Sequence, residues 1–326
     1  MKLLLPLLFL TTFVTFGQFA PSAGIPGTTA IYKDSSAIVE WATEVVTFSR
    51  GLEDIENPDG PLASFGEESA ALGYAEGNSA DVVSLGDMGS ITLGFEYSFQ
   101  NGPGHDFLVF ENSFSDDYLE LAHVEVSSDG ERFVRIPSIS NTQTDEQSGP
   151  FDNTDATQIH NLAGKYRQGY GTPFDLEDIA DSAGIDLMDV KYVRIIDVVG
   201  TINPEFGTFD SEGNIINDPY KTDFESGGFD LDAVGIINSN NPSLSINETA
   251  MQPVVVYPNP TQGALSIRTN ANVKQVTLID EIGRIVYQGT DEVLDLKQLG
   301  ISTGMYILRL VDEENNIHQE RISFID

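Results

Sequence analysis

The feature that most constrains this chain is a set of five segments in which apolar and polar residues alternate with a period of two. β-Branched and aromatic residues are enriched in them, and this alternation places one face of an extended strand on a core. The segments lie at residues 90–99, 106–112, 122–128, 132–137 and 191–199. They predict that the middle of the chain is an all-β sandwich.

Short irregular insertions are expected between these strands. Residues 175–185 carry the clearest helix signal, because Asp175 can cap a first turn rich in acidic residues and Gly184 can end it. Long polar loops are expected at 141–155 and 204–226. No repeat of about 20 to 50 residues is visible, which disfavours propellers and solenoids.

The N-terminal residues have the pattern of a signal peptide. A positive charge at Lys2 precedes the nearly uncharged apolar run 3–16, and Gly17 is small enough to allow cleavage before Gln18. The run is too short for a permanent membrane span, and no cysteine follows it to carry a lipid anchor. We therefore expect a signal peptide at 1–17 and no transmembrane helix after its removal.

The charge of the chain is concentrated in its middle region. Of the formal net charge of −35, residues 18–249 contribute 9 Lys and Arg against 41 Asp and Glu. Such a surface repels phosphates, so nucleic acids and anionic membranes are not expected as partners. The chain has no cysteine, so an exported form needs a large core or a bound metal to hold its loops.

Residues 246–326 contain three spaced blocks, which read VVVYPNPTQG, QVTLIDEIGRIVYQG and LGISTGMYILRLVD. The two prolines lack N–H donors, so YPNP is expected to be a rigid turn before a strand. Apolar residues on both sides of 281–284 predict a β-hairpin. The pattern therefore predicts a small sandwich of immunoglobulin-like form.

These blocks resemble the C-terminal sorting domain of type IX secretion cargo. The matching residues are Tyr257, Pro258, Asn259, Pro260, Gly263, Gly283, Arg284, Gly304 and Tyr306. Family members often carry lysines at the end of the domain, where this sequence has only Arg321. The resemblance implies that the type IX machinery is a partner and that the protein is secreted or held on the outer surface of a Gram-negative bacterium.

Within the middle region, residues 18–245, the segment 89–238 resembles the jelly rolls of discoidin and related galactose-binding-like modules. The resemblance lies in VEVSSDGERFVRIP, KYVRIIDV and GGFDLDAVGIIN, and secreted surface proteins with an FDLDAV ending are also similar. Asp129 and Gly130 are expected to form a two-residue hairpin turn in the first of these segments. The resemblance implies a jelly-roll-like sandwich with short helical insertions.

Two acidic clusters are candidates for a calcium site, because calcium binds carboxylate and amide oxygens. Asp230 and Asp232 are two residues apart and should lie on one side of a strand. The five candidate ligands are Asp106, Glu111, Asn112, Asp230 and Asp232. The alternative is that Asp230 and Asp232 accept backbone N–H bonds or pair with Arg194 or Arg135.

Loop aromatics are candidates for sugar stacking, namely Tyr166, Tyr170 and Tyr220, although such residues also serve as packing plugs. No motif organises His105, His123 and His160 into a catalytic site. We therefore expect a binding or adhesion protein for an extracellular glycan or surface protein. The alternatives are a carbohydrate-active hydrolase with an unrecognised site and a structural component of a surface layer.

Overall fold

A computed structural model describes residues 19–242, 254–280, 284–313 and 317–325. The chain divides into two compact units, residues 1–244 and residues 245–326. The signal peptide expected at 1–17 lies outside the described residues. No helix among the described residues is long and apolar enough to cross a membrane.

The first unit consists of short strands with three single-turn 3₁₀ helices. The strands are β1 (Ile31–Tyr32), β2 (Glu40–Trp41), β3 (Glu44–Ser49), β4 (Val83–Ser84), β5 (Ser90–Phe99), β6 (Phe107–Glu111), β7 (Ala122–Ser127), β8 (Val134–Arg135), β9 (Ile139–Ser140), β10 (Ile159–His160), β11 (Tyr170–Phe174), β12 (Val190–Asp197) and β13 (Asp230–Ile236). The 3₁₀ helices are Glu68–Ala71, Ala156–Gln158 and Leu176–Ile179.

Two antiparallel sheets form the body of this unit. One has the order β1-β11-β6-β13-β2, with β4 also paired to β13, and the other has the order β3-β5-β12-β7-β8. A separate pair joins β9 and β10. The chain crosses between the two large sheets from β5 to β6 to β7, and again from β11 to β12 to β13, so both sheets are built from the whole length of the unit.

The core lies between these sheets. Leu93, Val124 and Val193 from one sheet are fully buried and belong to the same apolar cluster as Phe107 and Phe174 from the other. The rings of Phe107 and Phe174 stack with centroids 5.2 Å apart. The all-β sandwich predicted from the alternating segments is therefore confirmed, whereas the closer likeness to discoidin-type jelly rolls stays a prediction.

Strand β6 is buried on both faces, which explains its nearly continuous apolar sequence. Phe107 and Val109 face the sandwich core. Leu108 and Phe110 face a second apolar cluster, in which the ring centroids of Trp41 and Phe110 are 5.4 Å apart. Because both faces of β6 are anchored, the polar residues that follow it are held at a defined place.

Two local predictions differ from the structure. The helix expected at 175–185 is only the 3₁₀ turn Leu176–Ile179; the Asp175 cap does form and accepts the Glu177 N–H. So short a helix gains little from its own hydrogen bonds. The expected two-residue turn at Asp129 and Gly130 is also wrong, because Val126 pairs with Val134 and a six-residue connection at 128–133 joins β7 to β8.

The second unit is a smaller sandwich. Its strands are β14 (Val255–Tyr257), β15 (Ala264–Arg268), β16 (Val273–Asp280), β17 (Ile285–Gly289), β18 (Val293–Asp295), β19 (Gly304–Asp312) and β20 (Ile317–Phe324). They form sheets of order β14-β15-β18 and β17-β16-β19-β20 around a core of their own. This unit has the small β-sandwich form expected for residues 246–326.

Candidate functional site

The five predicted metal ligands do not all lie together. Asp106 precedes β6 and accepts hydrogen bonds from the Gly102 and Leu176 N–H groups and the Asn238 amide, at 2.7 to 2.8 Å. Glu111 lies at the opposite end of the same strand. Asp106 is therefore a satisfied structural carboxylate at a different end of the sheet from Glu111.

Asp230 and Asp232 have separate partners. Asp232 accepts the N–H groups of Glu76 and Gly77 at 3.0 and 2.8 Å, which matches the alternative of backbone donors. Asp230 accepts the Asn112 amide at 2.9 Å and the Ser84 hydroxyl. Of the five predicted ligands, the structure thus brings together Asp230, Asn112 and, through the pairing of β13 with β6, Glu111.

The three predicted sugar-stacking tyrosines lie in different surroundings. Tyr166 is 1% exposed, and its hydroxyl bonds Thr29 at 2.8 Å. Tyr220 is also buried, with its hydroxyl directed to Asp54. Tyr170 is half-buried beside Tyr32, with ring centroids 5.2 Å apart. Burial leaves Tyr166 and Tyr220 no ring face to offer a ligand, so they act as packing plugs.

A different set of aromatic residues forms a stacked row at the surface. The rings of Phe114 and Tyr118 stack at 4.9 Å, those of Tyr118 and Phe151 at 6.3 Å, and those of Phe151 and Phe224 at 6.2 Å. We call these four residues the aromatic row. Phe114 and Phe151 are 66% and 70% exposed, whereas Tyr118 is 7% exposed. The row therefore has a buried anchor and two rings open to solvent.

The loop that carries Phe151 is held by Asn217, a buried residue of the neighbouring loop. The Asn217 amide donates to the carbonyls of Gln143 and Glu146 at 2.6 and 2.8 Å and accepts the Ser148 N–H at 3.0 Å. Further along, the Thr154 N–H donates to the Asp117 carbonyl. One side chain thus satisfies three backbone groups of the long polar loop predicted at 141–155 and fixes its path.

Two adjoining polar clefts lie along this loop. The larger has a volume of about 510 Å³ and is lined by Gln143, Gln147, Phe151 and other residues of the loop. The smaller, of about 310 Å³, extends to Thr154, and the two clefts share Gln143 among their walls. An exposed aromatic ring beside amide and hydroxyl groups offers both an apolar face and hydrogen bonds to a ligand.

Acidic side chains surround these clefts. Glu146 and Asp152 line the larger cleft, and Asp155 lines the smaller one. In the residues that the structure describes, no lysine or arginine lines either cleft. The local charge has the sign of the whole chain and disfavours anionic ligands.

The histidines have separate partners. His123 is buried beside the Ser138 hydroxyl, and burial lowers the pKa of its imidazole to about 4. His160 stacks on Phe19 at 5.0 Å. His123 is therefore neutral near pH 7 and is buried on the face of β7 opposite the core residues Val124 and Val126, as expected for a structural histidine.

The sorting-motif residues build the entry and edges of the second unit. The Asn259 side chain donates to the Arg321 carbonyl at 2.7 Å and accepts the Ser323 N–H at 3.0 Å, so the YPNP turn is tied to β20. The Tyr306 hydroxyl bonds the Ser302 carbonyl at 2.6 Å. These contacts give Asn259 and Tyr306 structural roles within the sandwich.

The predicted central hairpin is also present. The Arg284 side chain bonds Asp280 at 3.0 Å, and its carbonyl accepts the Asp280 N–H. Strands β16 and β17 pair antiparallel with each other. Gly283, another predicted motif residue, lies outside the described residues.

Two members of the aromatic row could have been identified from the sequence as candidates, alongside the loop tyrosines. Phe114 and Phe151 are single large apolar residues within the polar stretches NSFSDD and SGPFDN. A phenylalanine in such a stretch either fills a local gap or remains exposed. The choice between these outcomes depends on contacts with distant residues such as Phe224.

Comparison with known protein families supports the prediction of a sorting domain in the C-terminal unit. Residues 255–323 match the family described as the secretion system C-terminal sorting domain. The match identifies this unit as a type IX sorting domain and the chain as a protein that is secreted or attached to the outer cell surface. No curated protein matches the chain by sequence.

Two solved structures show weak similarity. The β-glucuronidase of Ruminococcus gnavus is 12% identical, with a TM-score of 0.18 over 72% of this chain and 35% of its own. PorZ, a surface component of the type IX secretion system of Porphyromonas gingivalis, is 12% identical, with a TM-score of 0.20 over 92% of this chain and 48% of its own. This chain thus spans less than half of either protein, and at these scores neither likeness informs its fold or activity.

Proposed function

We propose that this protein is type IX secretion cargo that binds an extracellular glycan through the aromatic row and the two adjoining clefts. The observation that carries the proposal is the exposed ring of Phe151 in the wall of a cleft lined by amide and hydroxyl groups, with the exposed ring of Phe114 further along the same aromatic row. A pyranose ring has an apolar face that packs on an aromatic ring, while its hydroxyl groups take hydrogen bonds at the edges. The sorting domain delivers this surface to where such polymers occur.

The charge around the clefts narrows the class of glycan. Glu146 and Asp152 would repel uronic acids and sulfate esters, and no lysine or arginine lines the described clefts to offset them. A neutral polysaccharide meets no such penalty. We infer that the ligand is a neutral glycan with an exposed apolar sugar face.

Affinity electrophoresis tests the proposal. The purified chain is run through native gels that contain a neutral polysaccharide, such as a glucan, mannan or xylan, and through matched gels that contain an anionic one. Retardation by at least one neutral polymer, and its loss in Phe151→Ala, is the expected result. Migration unchanged in every gel would contradict glycan binding and favour a surface-protein ligand or a structural role in a surface layer.

Product analysis with the same polysaccharides distinguishes the hydrolase alternative from simple binding. A binding protein leaves the retarding polysaccharide at its original chain length after long incubation. The appearance of shorter oligosaccharides that depends on the purified chain would replace the binding proposal with an enzymatic one.

A further inference from the structure

The second unit has a sheet face that is partly apolar and carries arginines without acidic residues. Val276, Leu278, Leu308 and Leu310 of strands β16 and β19 are buried in the core of this unit, so the alternate residues of these strands lie on the opposite side. Strand pairing arranges that side in three cross-strand rows. We call these residues the outer face: Gln288, Thr277, Arg309 and Gln319; Ile285, Ile279, Ile307 and Arg321; and Gln275, Val311 and Ile317.

The composition of the outer face differs from that of the rest of the chain. None of its residues is an aspartate or a glutamate, although the chain has 51 of them. Five of its residues are isoleucine or valine, of which Ile285 and Ile307 are 55% and 45% exposed. The solvent side of an antiparallel sheet is ordinarily polar, whereas exposed apolar patches mark interaction sites. The outer face therefore has the character of a docking surface.

Arg309 lies in the middle of this face with a donor that its described neighbours leave unsatisfied. Its Nε atom is inaccessible to solvent and has no hydrogen-bond partner within the described ranges. Neither Arg309 nor Arg321 belongs to an ion pair between described residues. A buried charged donor without an acceptor is destabilising, and a carboxylate matches the geometry of a guanidinium group best. Arg309 therefore calls for an acceptor from another molecule.

A cleft beside Arg309 has room for such an acceptor. It has a volume of about 470 Å³ and is lined by Lys274, Gln275, Arg309, Val311 and Ile317. Its walls thus combine two positively charged side chains, one amide and two apolar side chains. A carboxylate can bond to the charged groups while an apolar neighbour of that carboxylate packs on Val311 and Ile317.

We propose that the outer face docks a partner protein that presents carboxylate side chains together with apolar ones. The carboxylates pair with Arg309 and Arg321, and the apolar side chains cover the isoleucines and valines between them. Arginine and apolar residues are typical of the buried centre of protein interfaces. A surface that offers only phosphates satisfies the arginines and leaves the apolar rows uncovered, so a protein fits better than an anionic lipid. This inference is independent of glycan binding, which concerns the first unit.

Fluorescence anisotropy of the purified full chain with a labelled peptide tests the proposal. The peptide Glu-Ser-Ile-Ser-Glu-Ser-Ile-Ser places glutamate and isoleucine on one side when extended, and its counterpart carries glutamine in place of each glutamate. At about 0.15 M salt, charges more than about 8 Å apart are largely screened, so the acidic first unit interferes little. The glutamate peptide should bind about tenfold more tightly or better than its counterpart. No binding of the glutamate peptide, or equal binding of both peptides, would overturn the proposal.

Two variants and a matched control locate the binding. Arg309→Gln should weaken binding of the glutamate peptide by about tenfold or more, because a charge-assisted hydrogen bond is lost. Ile307→Ser should weaken it by about threefold or more through lost apolar contact, and it carries the test should Arg309→Gln lower the midpoint of thermal unfolding. Arg268→Gln removes the same charge from β15 in the other sheet, where the guanidinium lies over the Tyr257 ring. Its effect should stay below about twofold, and an equal loss there would contradict the assignment.

Vesicles of phosphatidylglycerol test the other class of partner. The full chain should not sediment with them at the same salt concentration. Sedimentation that is lost in Arg309→Gln, without binding of the glutamate peptide, would assign the outer face to anionic lipid and overturn the proposal. Because none of these measurements involves a glycan, failure here leaves the proposed glycan site untouched.

Discussion

Replacing Phe151 by alanine should weaken glycan binding while leaving the fold intact. Phe151 is 70% exposed, and an aromatic side chain has about 200 Å² of surface, so about 140 Å² is open to a ligand. A sugar ring on one face covers about half of this, ~70 Å². At about 25 cal/mol per Å² the lost contact is worth about 1.8 kcal/mol. The dissociation constant should therefore rise about twentyfold.

Isothermal titration with an oligosaccharide of the retarding polymer measures this change. Phe151→Trp should retain binding, because it preserves a flat apolar face, and Tyr170→Ala is the matched control from a separate aromatic pair. The free energy of unfolding of Phe151→Ala should fall by no more than about 1 kcal/mol, since most of the ring is exposed. Unchanged affinity in Phe151→Ala would contradict the proposed site, and a loss confined to Tyr170→Ala would place the site at Tyr170 instead.

Three further predictions concern export, the loop and pH. Deleting residues 254–326 should leave a folded first unit that fails to reach the cell surface, which cell fractionation and immunoblotting would detect; normal surface levels would contradict the role of the sorting domain. Asn217→Ala should lower the free energy of unfolding by about 2 kcal/mol, because three partly buried backbone groups lose their partner. It should also speed proteolysis within 141–155; an unchanged digestion rate would show that other contacts hold the loop. Burial raises the pKa of Asp87 and Asp232 from 3.8 to about 6, so their contribution to stability is fully present below about pH 4 and is lost as the pH rises through 6. In denaturant unfolding, these two groups should thus give about 3 kcal/mol more stability at pH 5 than at pH 7.5, with about half of that difference absent in Asp232→Asn. The opposite slope would be inconsistent with these two shifts.

The strands were predictable because their sequence pattern is local. In β5 and β12 the alternation of residues reflects one face on the core, and both strands lie where the pattern places them. The YPNP turn was predictable for a similar reason, since the missing N–H donors of proline exclude it from a central strand whatever surrounds it.

The candidate site was predictable only in part, because it depends on contacts across long stretches of sequence. The acidic residues near Glu111 and Asp230 could be identified as a group, since antiparallel pairing joins their strands. The place of Asp218 could not, because it accepts the Leu121 N–H from a loop that has no regular pattern. The aromatic row likewise joins Phe114 to Phe224 through residues that share no periodicity.

The same dependence on distant contacts explains the burial of Tyr166 and Tyr220. Tyr166 and Tyr220 were candidates because each lies in a polar loop with glycine or aspartate nearby. Their hydroxyl groups find partners at Thr29 and Asp54, more than a hundred residues away in sequence. A loop aromatic is exposed or buried according to such distant partners, so the local sequence alone did not distinguish these tyrosines from Phe151.

A crystal structure of the purified chain soaked with an oligosaccharide of the retarding polymer would test glycan binding most directly. We expect a sugar ring stacked on Phe151, hydroxyl groups bonded to side chains of the 141–155 loop, and intact glycosidic bonds. A sugar bound away from the aromatic row, or a cleaved oligosaccharide at the site, would contradict it.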